Sequence, residues 1–284
     1  MKKLIAASIA SIGLAASMPS SAAIVGGVDF GSSGNTHIET ATLAETFING
    51  ANQTLYGYGL VTTVNGDTTY CADGTSNCSL YFTFDYRVAS FNGITVTFDT
   101  GNVNLYYSGS PALNLHSQDS TTNVGLIQGM TPWLHLTGHA FVDPVFNIVN
   151  GTPGASYELN GFGLLTGSSL SETGQGQLDV AAGWGMAAVA TFLDGNSEAD
   201  GLGGFSDIVV TSSTNSSVLN PFDLAGTLAD SCRNPTTGPQ VGDWCLQGTM
   251  NTRGQTVPEP STLALAGLSM LGIAALRRRK QNQA

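Results

Sequence analysis

The feature that most restricts how this chain can fold is a period of two. In YFTFDYRV, Phe82, Phe84, Tyr86 and Val88 alternate with Thr83, Asp85 and Arg87. GITVTFDT repeats the alternation through Ile94, Val96 and Phe98, and NVNLYY continues it through Val103, Leu105 and Tyr107. Successive side chains of a strand point to opposite faces, so each run predicts a half-buried strand with one apolar side. LYGYGLVTTV, WLHLTGHAFV, SYELNGFGLL, WGMAAVATFL and FSDIVVTSS are further strand candidates. Turn clusters punctuate them at 65–67, 91–93, 150–154 and 193–196. No long segment keeps a clean helical period between the two ends. QLDVAAGWGMAAVA is the nearest to a helix, and Gly183 and Gly185 weigh against it. The expectation is an all-β body, a sandwich or jelly-roll-like fold, flanked by an N-terminal signal helix and a C-terminal hydrophobic sorting helix. No fixed-period repeat points to a solenoid.

The ends have a different character. Residues 1–23 carry Lys2 and Lys3, then an apolar stretch, then small residues ending in two overlapping small-x-small sites. That order is a secretory signal peptide. At the other end Pro258-Glu259-Pro260 precedes an apolar run at 263–276, 14 residues long, and then Arg277, Arg278, Arg279 and Lys280. As a helix the run rises about 21 Å, short of a bilayer core of roughly 30 Å. It suits a transient hold in the inner membrane, with the basic block as a cytoplasmic stop. The two prolines stiffen the segment before it into an extended strand. The expected organisation is a signal peptide over 1–23, a β-rich extracellular body over 24–246, a tether over 247–256 and a tail over 257–284.

Pro-Glu-Pro, an apolar run and a basic cluster in that order resemble the PEP-CTERM sorting signal of Gram-negative bacteria, matching residue by residue at Pro258, Glu259 and Pro260. The resemblance implies signal peptidase and an exosortase, a membrane-embedded cysteine transpeptidase, as partners. It also implies removal of the tail, delivery to the cell surface or extracellular space, and a biofilm, floc or exopolysaccharide setting. Residues 80–110, LYFTFDYRVASFNGITVTFDTGNVNLYYSGS, are in addition similar to a segment of flocculation-associated PEP-CTERM proteins, whose strand, glycine turn, strand and "LNLY"-like strand correspond here to the run ending Val103-Asn104-Leu105-Tyr106.

Charge narrows the partners. Between residues 24 and 256 three arginines, no lysine and nineteen acids leave a net charge of −16. Such a body repels nucleic acid and anionic membrane surfaces, and its charge serves solubility. Four cysteines fall in two local pairs, and export to an oxidising compartment makes disulfides Cys71–Cys78 and Cys232–Cys245 the expectation. Their spacing does not match paired zinc knuckles.

No motif supplies a reaction: GxSxG and HExxH are both absent. The chain is therefore expected to be a non-enzymatic surface or matrix protein. The alternatives are a secreted carbohydrate-binding module and, behind it, a glycan-active enzyme. Trp133, Trp184 and Trp244 are the candidate sugar platforms, against buried core positions as the commoner fate of tryptophan. His135 and His139 share a strand face but stand roughly 13 Å apart, too far for one metal ion. In LDGNSEADGLGGFSD, Asp194, Asn196, Glu198 and Asp200 place oxygen ligands at alternate positions, as a calcium loop does. Ala199 and Phe205 stand where that loop needs glycine and glutamate, so a solvated turn is the first reading and a calcium site the second. No cofactor is required.

Overall fold

A computed structural model describes residues 22–32, 34–91, 95–142, 157–161, 171–215, 220–223 and 239–257. The expected signal helix and sorting helix lie outside these residues, as do Pro258, Glu259, Pro260 and the basic block. The all-β expectation holds. In chain order the strands are β1 (Ile24–Val25), β2 (Val28–Asp29), β3 (Asn35–Thr46), β4 (Thr54–Leu60), β5 (Thr63–Val64), β6 (Ser79–Phe91) and β7 (Thr95–Ser108). There follow β8 (Thr131–His139), β9 (Tyr157–Gly161), β10 (Ser171–Gly185), β11 (Glu198–Ala199), β12 (Phe205–Ser206), β13 (Ile208–Asn215) and β14 (Trp244–Gln255).

The main sheet closes on itself. Its walls run β3-β4-β6-β7-β8-β10-β13-β14, every neighbour antiparallel, and β14 returns to pair with β3. The body is thus an up-and-down barrel of eight strands, in which each wall strand pairs on both sides among the described residues. Strands β8 and β9 share one slot in it. β8 pairs with residues 102–107 of β7 and β9 with residues 95–98, while both lie along β10.

The inner face is the one the alternation predicts. Phe82, Phe84, Tyr86 and Val88 of β6 join Val96, Phe98, Val103 and Leu105 of β7 in one core, with Leu134, Leu136, Leu178, Ile208 and Val210 facing them. Space for the rings comes from glycine. Gly57 lies opposite Phe84, Gly59 opposite Phe82, and Gly101 opposite Tyr86. A Cβ at Gly57 or Gly101 would overlap the facing ring, and one at Gly59 would come within 2.7 Å of Phe82. Each ring therefore lies over the bare backbone of the next strand, an arrangement that also pins register. Among the described residues, two interior voids hold about 20 and 10 Å³, at most a single water each.

A second core covers part of the outer face. Tyr58, Tyr81 and Tyr106 point outward from β4, β6 and β7, yet are buried with Ala44, Leu115, Ile127 and Phe222. The helix Ser120–Gln128 provides Ile127, and its N-cap Asp119 accepts from the Thr122 N–H. The Tyr58 hydroxyl hydrogen-bonds to Ser120 Oγ at 3.0 Å and accepts from Asn123 Nδ2 at 3.2 Å, while Asn220 Nδ2 donates to Ser120 Oγ at 2.8 Å. The Tyr58 hydroxyl, Ser120 Oγ and the Asn123 and Asn220 amide nitrogens thus satisfy one another inside this buried set, as burial demands.

Two local expectations need correction. Residues 247–255, read as a tether, form most of β14 and pair on both sides with β13 and β3. The body therefore includes the whole of β14, to Gln255. Glycine, asparagine and threonine gave this stretch a linker-like composition, but ladder bonds from two neighbours outweigh weak strand propensity. The strand expected across WGMAAVATFL is instead the end of β10 followed by a helix, Ala187–Leu193. Gly183 and Gly185, at φ of 94° and 81°, turn the chain where the strand ends.

Substitution of Gly57 by alanine is expected to destabilise the body by about 2–3 kcal/mol, through forced displacement of the Phe84 ring. Gly125 is exposed in a helix, with nothing within 4 Å of an added Cβ, so Gly125→Ala should instead stabilise by about 0.5–1 kcal/mol. Denaturant midpoints of the two variants check both signs.

Candidate functional site

One end of the barrel is closed by residues from distant parts of the chain. The first described residues form a hairpin, β1–β2, around Gly26 and Gly27, whose φ values of 60° and 84° suit glycine. Trp133 is fully buried and its Nε1 donates to the Gly26 carbonyl at 2.9 Å. Phe30 stacks on Trp133 and tilts against Phe192, with ring centroids 6.1 and 5.0 Å apart. Of the three candidate sugar platforms, Trp133 is thus a cap residue. Trp184 and Trp244 pack edge-on against Tyr106 and Tyr58 in the outer core.

The Cys71–Cys78 disulfide is present, with Cα atoms 5.7 Å apart. It holds the cap from the side. The Tyr70 carbonyl accepts from the Asp29 N–H, the Ala72 N–H donates to the Gly27 carbonyl, and Val28 bridges to Cys71. Closing so short a loop constrains the unfolded chain by about 2.5 kcal/mol. Cys245 is fully buried and disulfide-bonded; its expected partner Cys232 lies outside the described residues.

Both termini of the body leave at this capped end. The Ala23 N–H donates to the Gly31 carbonyl, and its own carbonyl accepts from the Phe30 N–H. At the other terminus the Thr256 N–H and Oγ1 both donate to the Gly34 carbonyl at 2.9 Å. The Val257 N–H donates to the Phe192 carbonyl, also at 2.9 Å. The residue before Pro258 is therefore bonded to the cap.

His135 and His139 project from one face of β8, as expected, and each has its own partner. His135 Nδ1 hydrogen-bonds with Asn104 Oδ1 at 2.8 Å, and burial lowers its pKa. His139 stands between two carboxylates, with Nδ1 2.8 Å from Asp179 and Nε2 3.2 Å from Asp200. Burial pulls its pKa down, but hydrogen bonds and charge from both aspartates outweigh this and raise it above the ordinary 6.5. For Asp200 burial favours the neutral acid. The N–H groups of Gly204 and Leu202 and the nearby His139 override that and leave its pKa lowered.

The acidic loop that carries the calcium alternative is divided between different tasks. Asp200 faces His139, and its carbonyl accepts from the Val142 N–H. Asp194 meets Asp207, and burial first, then the Asp207 charge and a hydrogen bond to it, raise the Asp194 pKa. Asp207 is buried, and its two oxygens accept from the N–H groups of Val180 and Asn196, each at 2.7 Å. Asn196 donates to Asp194 through its side chain, and Glu198 sits in the β11–β12 hairpin. Among the described residues no group of three or more His, Cys, Asp or Glu side chains gathers for a metal ion. The cap was not legible as a unit, because residues 23–32, 34, 133, 192 and 256–257 are joined only by folding.

The His139 clasp is strongest while His139 is protonated and Asp200 ionised. Because the folded His139 pKa is raised, its contribution is complete below about 6.5 and is lost as pH rises through the folded value. Because the folded Asp200 pKa is lowered, the carboxylate side persists above the unfolded value and is lost only as pH falls through the folded one. His139→Gln should cost about 1–2 kcal/mol near pH 6 and flatten the decline in stability above that pH. Denaturation midpoints measured across pH 5–8 check this.

Among the described residues no helix is long and apolar enough to cross a membrane; the 263–276 run lies beyond them. No curated protein matches the chain, and no solved structure matches it. Residues 256–280 match a family model described as the PEP-CTERM protein-sorting motif, which begins at the first residue after β14. That motif implies handling by signal peptidase and an exosortase. The chain carries a PEP-CTERM sorting signal behind a closed β-barrel, and is exported through the membrane to the cell surface or extracellular space.

Proposed function

We propose that the barrel is a non-enzymatic cargo, released from its tail to serve as a surface or matrix component in a biofilm, floc or exopolysaccharide setting. The supporting observation is the sorting motif joined directly to a barrel whose interior is occupied by its own side chains. A filled barrel offers its outside, not its lumen, for interaction. The acidic, lysine-free body suits a secreted protein that stays soluble until it meets its matrix. The run of residues 80–110 read as resembling flocculation-associated proteins lies on β6 and β7 of the wall.

Replacement of Pro258, Glu259 and Pro260 by alanine should leave the full-length protein in the membrane fraction and abolish its appearance on the surface and in the medium. Intact mass of each fraction reads this directly. Native protein released with the tail through Ala284 still attached would overturn the reading.

A second reading, a carbohydrate-binding module, has its own observation. An open pocket of about 220 Å³ on the outer face is lined by Thr42, Leu60, Thr62, Asn114, His116 and Phe222. His116 lies edge-on to Phe222 with centroids 5.5 Å apart. Hydroxyl, amide and imidazole groups around an apolar floor suit a single sugar ring. His116→Ala should then weaken binding to a retained polysaccharide about tenfold, the worth of one buried polar contact, in a glycan pull-down. Equal retention of both proteins counts against this reading.

A further inference from the structure

We propose that the outer pocket beside Phe222 recognises an acetamido group, so that its ligand is a neutral N-acetylated hexosamine. The proposal rests on the carbohydrate reading of this pocket and names the chemical group the pocket singles out.

Charge sets the first limit. No Lys, Arg, Asp or Glu lines the pocket. A uronate, or the free amine of a deacetylated hexosamine, would enter it without a counter-charge, and an unpaired charge is costly to take out of water. The ligand is therefore neutral.

The floor sets the second. Sugar rings commonly lie against an open aromatic face, and this pocket does not present one. Phe222 is 6% exposed, packs against Tyr58 with ring centroids 5.3 Å apart, and is met edge-on by His116. The rest of the apolar lining is leucine: Leu60, Leu113 and Leu115. Such a floor takes a compact apolar group, and on a neutral sugar that group is a methyl. A 6-deoxy sugar and an acetylated one both carry a methyl. Only the acetamido group sets a carbonyl acceptor and an N–H donor beside it.

The rim holds the matching pair. Asn114 caps the turn Leu115–Ser117, and its Oδ1 accepts from the His116 N–H at 3.1 Å. That bond fixes which way the amide faces and leaves Nδ2 as a donor, with no partner among the described residues. The Thr62 hydroxyl donates to the Glu39 carbonyl at 3.0 Å, so its lone pairs are left to accept. An acetamido carbonyl can accept from Asn114 Nδ2, its N–H can donate to Thr62 Oγ1, and its methyl can rest on the leucines. A hydroxyl in its place can satisfy one of the two polar groups and leaves the floor bare.

The test uses the full chain in detergent micelles, at about 0.15 M salt to screen its charge. The probes are the methyl glycosides of N-acetylglucosamine and of glucose, which differ only at the acetamido position. Saturation-transfer NMR titrations should show about tenfold tighter binding of the acetylated probe, with the acetyl methyl the most strongly saturated group. Asn114→Asp keeps an oxygen for the His116 N–H and replaces the donor with a second acceptor. It should weaken binding of the acetylated probe about tenfold and leave the denaturation midpoint where it is. Equal affinity for the two probes overturns the acetamido assignment while leaving the carbohydrate reading in place. Undiminished binding of the acetylated probe to Asn114→Asp also overturns the assignment, because the group then sits elsewhere. No saturable binding of either probe overturns the assignment and counts against the carbohydrate reading with it.

Discussion

The structure depends on the ladder between β14 and β3. Each of the other wall strands pairs with its neighbour in sequence, as hairpins readily do. The β14–β3 pairing joins residues 244–255 to residues 35–46 and converts a meandering sheet into a closed wall. Closure is what makes the interior an interior. Ile38 and Leu43 of β3 join the side chains of β6, β7, β8 and β13 in the same core only because the ends of the sheet meet. It also brings Gly34, Phe192 and Val257 together and so creates the cap. The filling of the wall rests on a simpler constraint, the size of a benzene ring. Phe82, Phe84 and Tyr86 fit because Gly59, Gly57 and Gly101 lie opposite them.

The fold was legible where one residue type dominated each face. YFTFDYRV and NVNLYY declare their strands and their inward faces, because bulky and polar residues alternate without interruption. Three long strands were hidden. β3 carries a bulge that shifts its register with β14 between Thr40 and Leu43, so its alternation changes phase within the strand. β10 carries Gly174, Gly176 and Gly183, and β14 carries Gly248 and Gly254, residues that propensity assigns to turns. The helix Ser120–Gln128 was missed for a related reason. It buries only Ser120, Asn123 and Ile127, and two of these are polar groups serving a hydrogen-bond network rather than an apolar stripe.

The functional features divide in the same way. The sorting signal is written in contiguous residues, so sequence alone revealed it. The cap is assembled from segments more than two hundred residues apart in the chain, and no local pattern encodes it. The acidic loop lies between these cases. Its alternation of oxygen-bearing residues was visible, but their orientation was not. Asp200 turns to His139 and Asp194 to Asp207, so the loop fastens the β11–β12 hairpin to the outside of β10.

A wall that closes through its last strand has a consequence for folding. Without β14 the other seven wall strands can form no more than an open sheet, in which the sides of β3 and β13 that face β14 lack a partner. Such edges pair readily with those of other chains, and closing them demands contact between residues more than two hundred positions apart, which is slow. Pairing of the last strand is therefore the step that removes both edges at once.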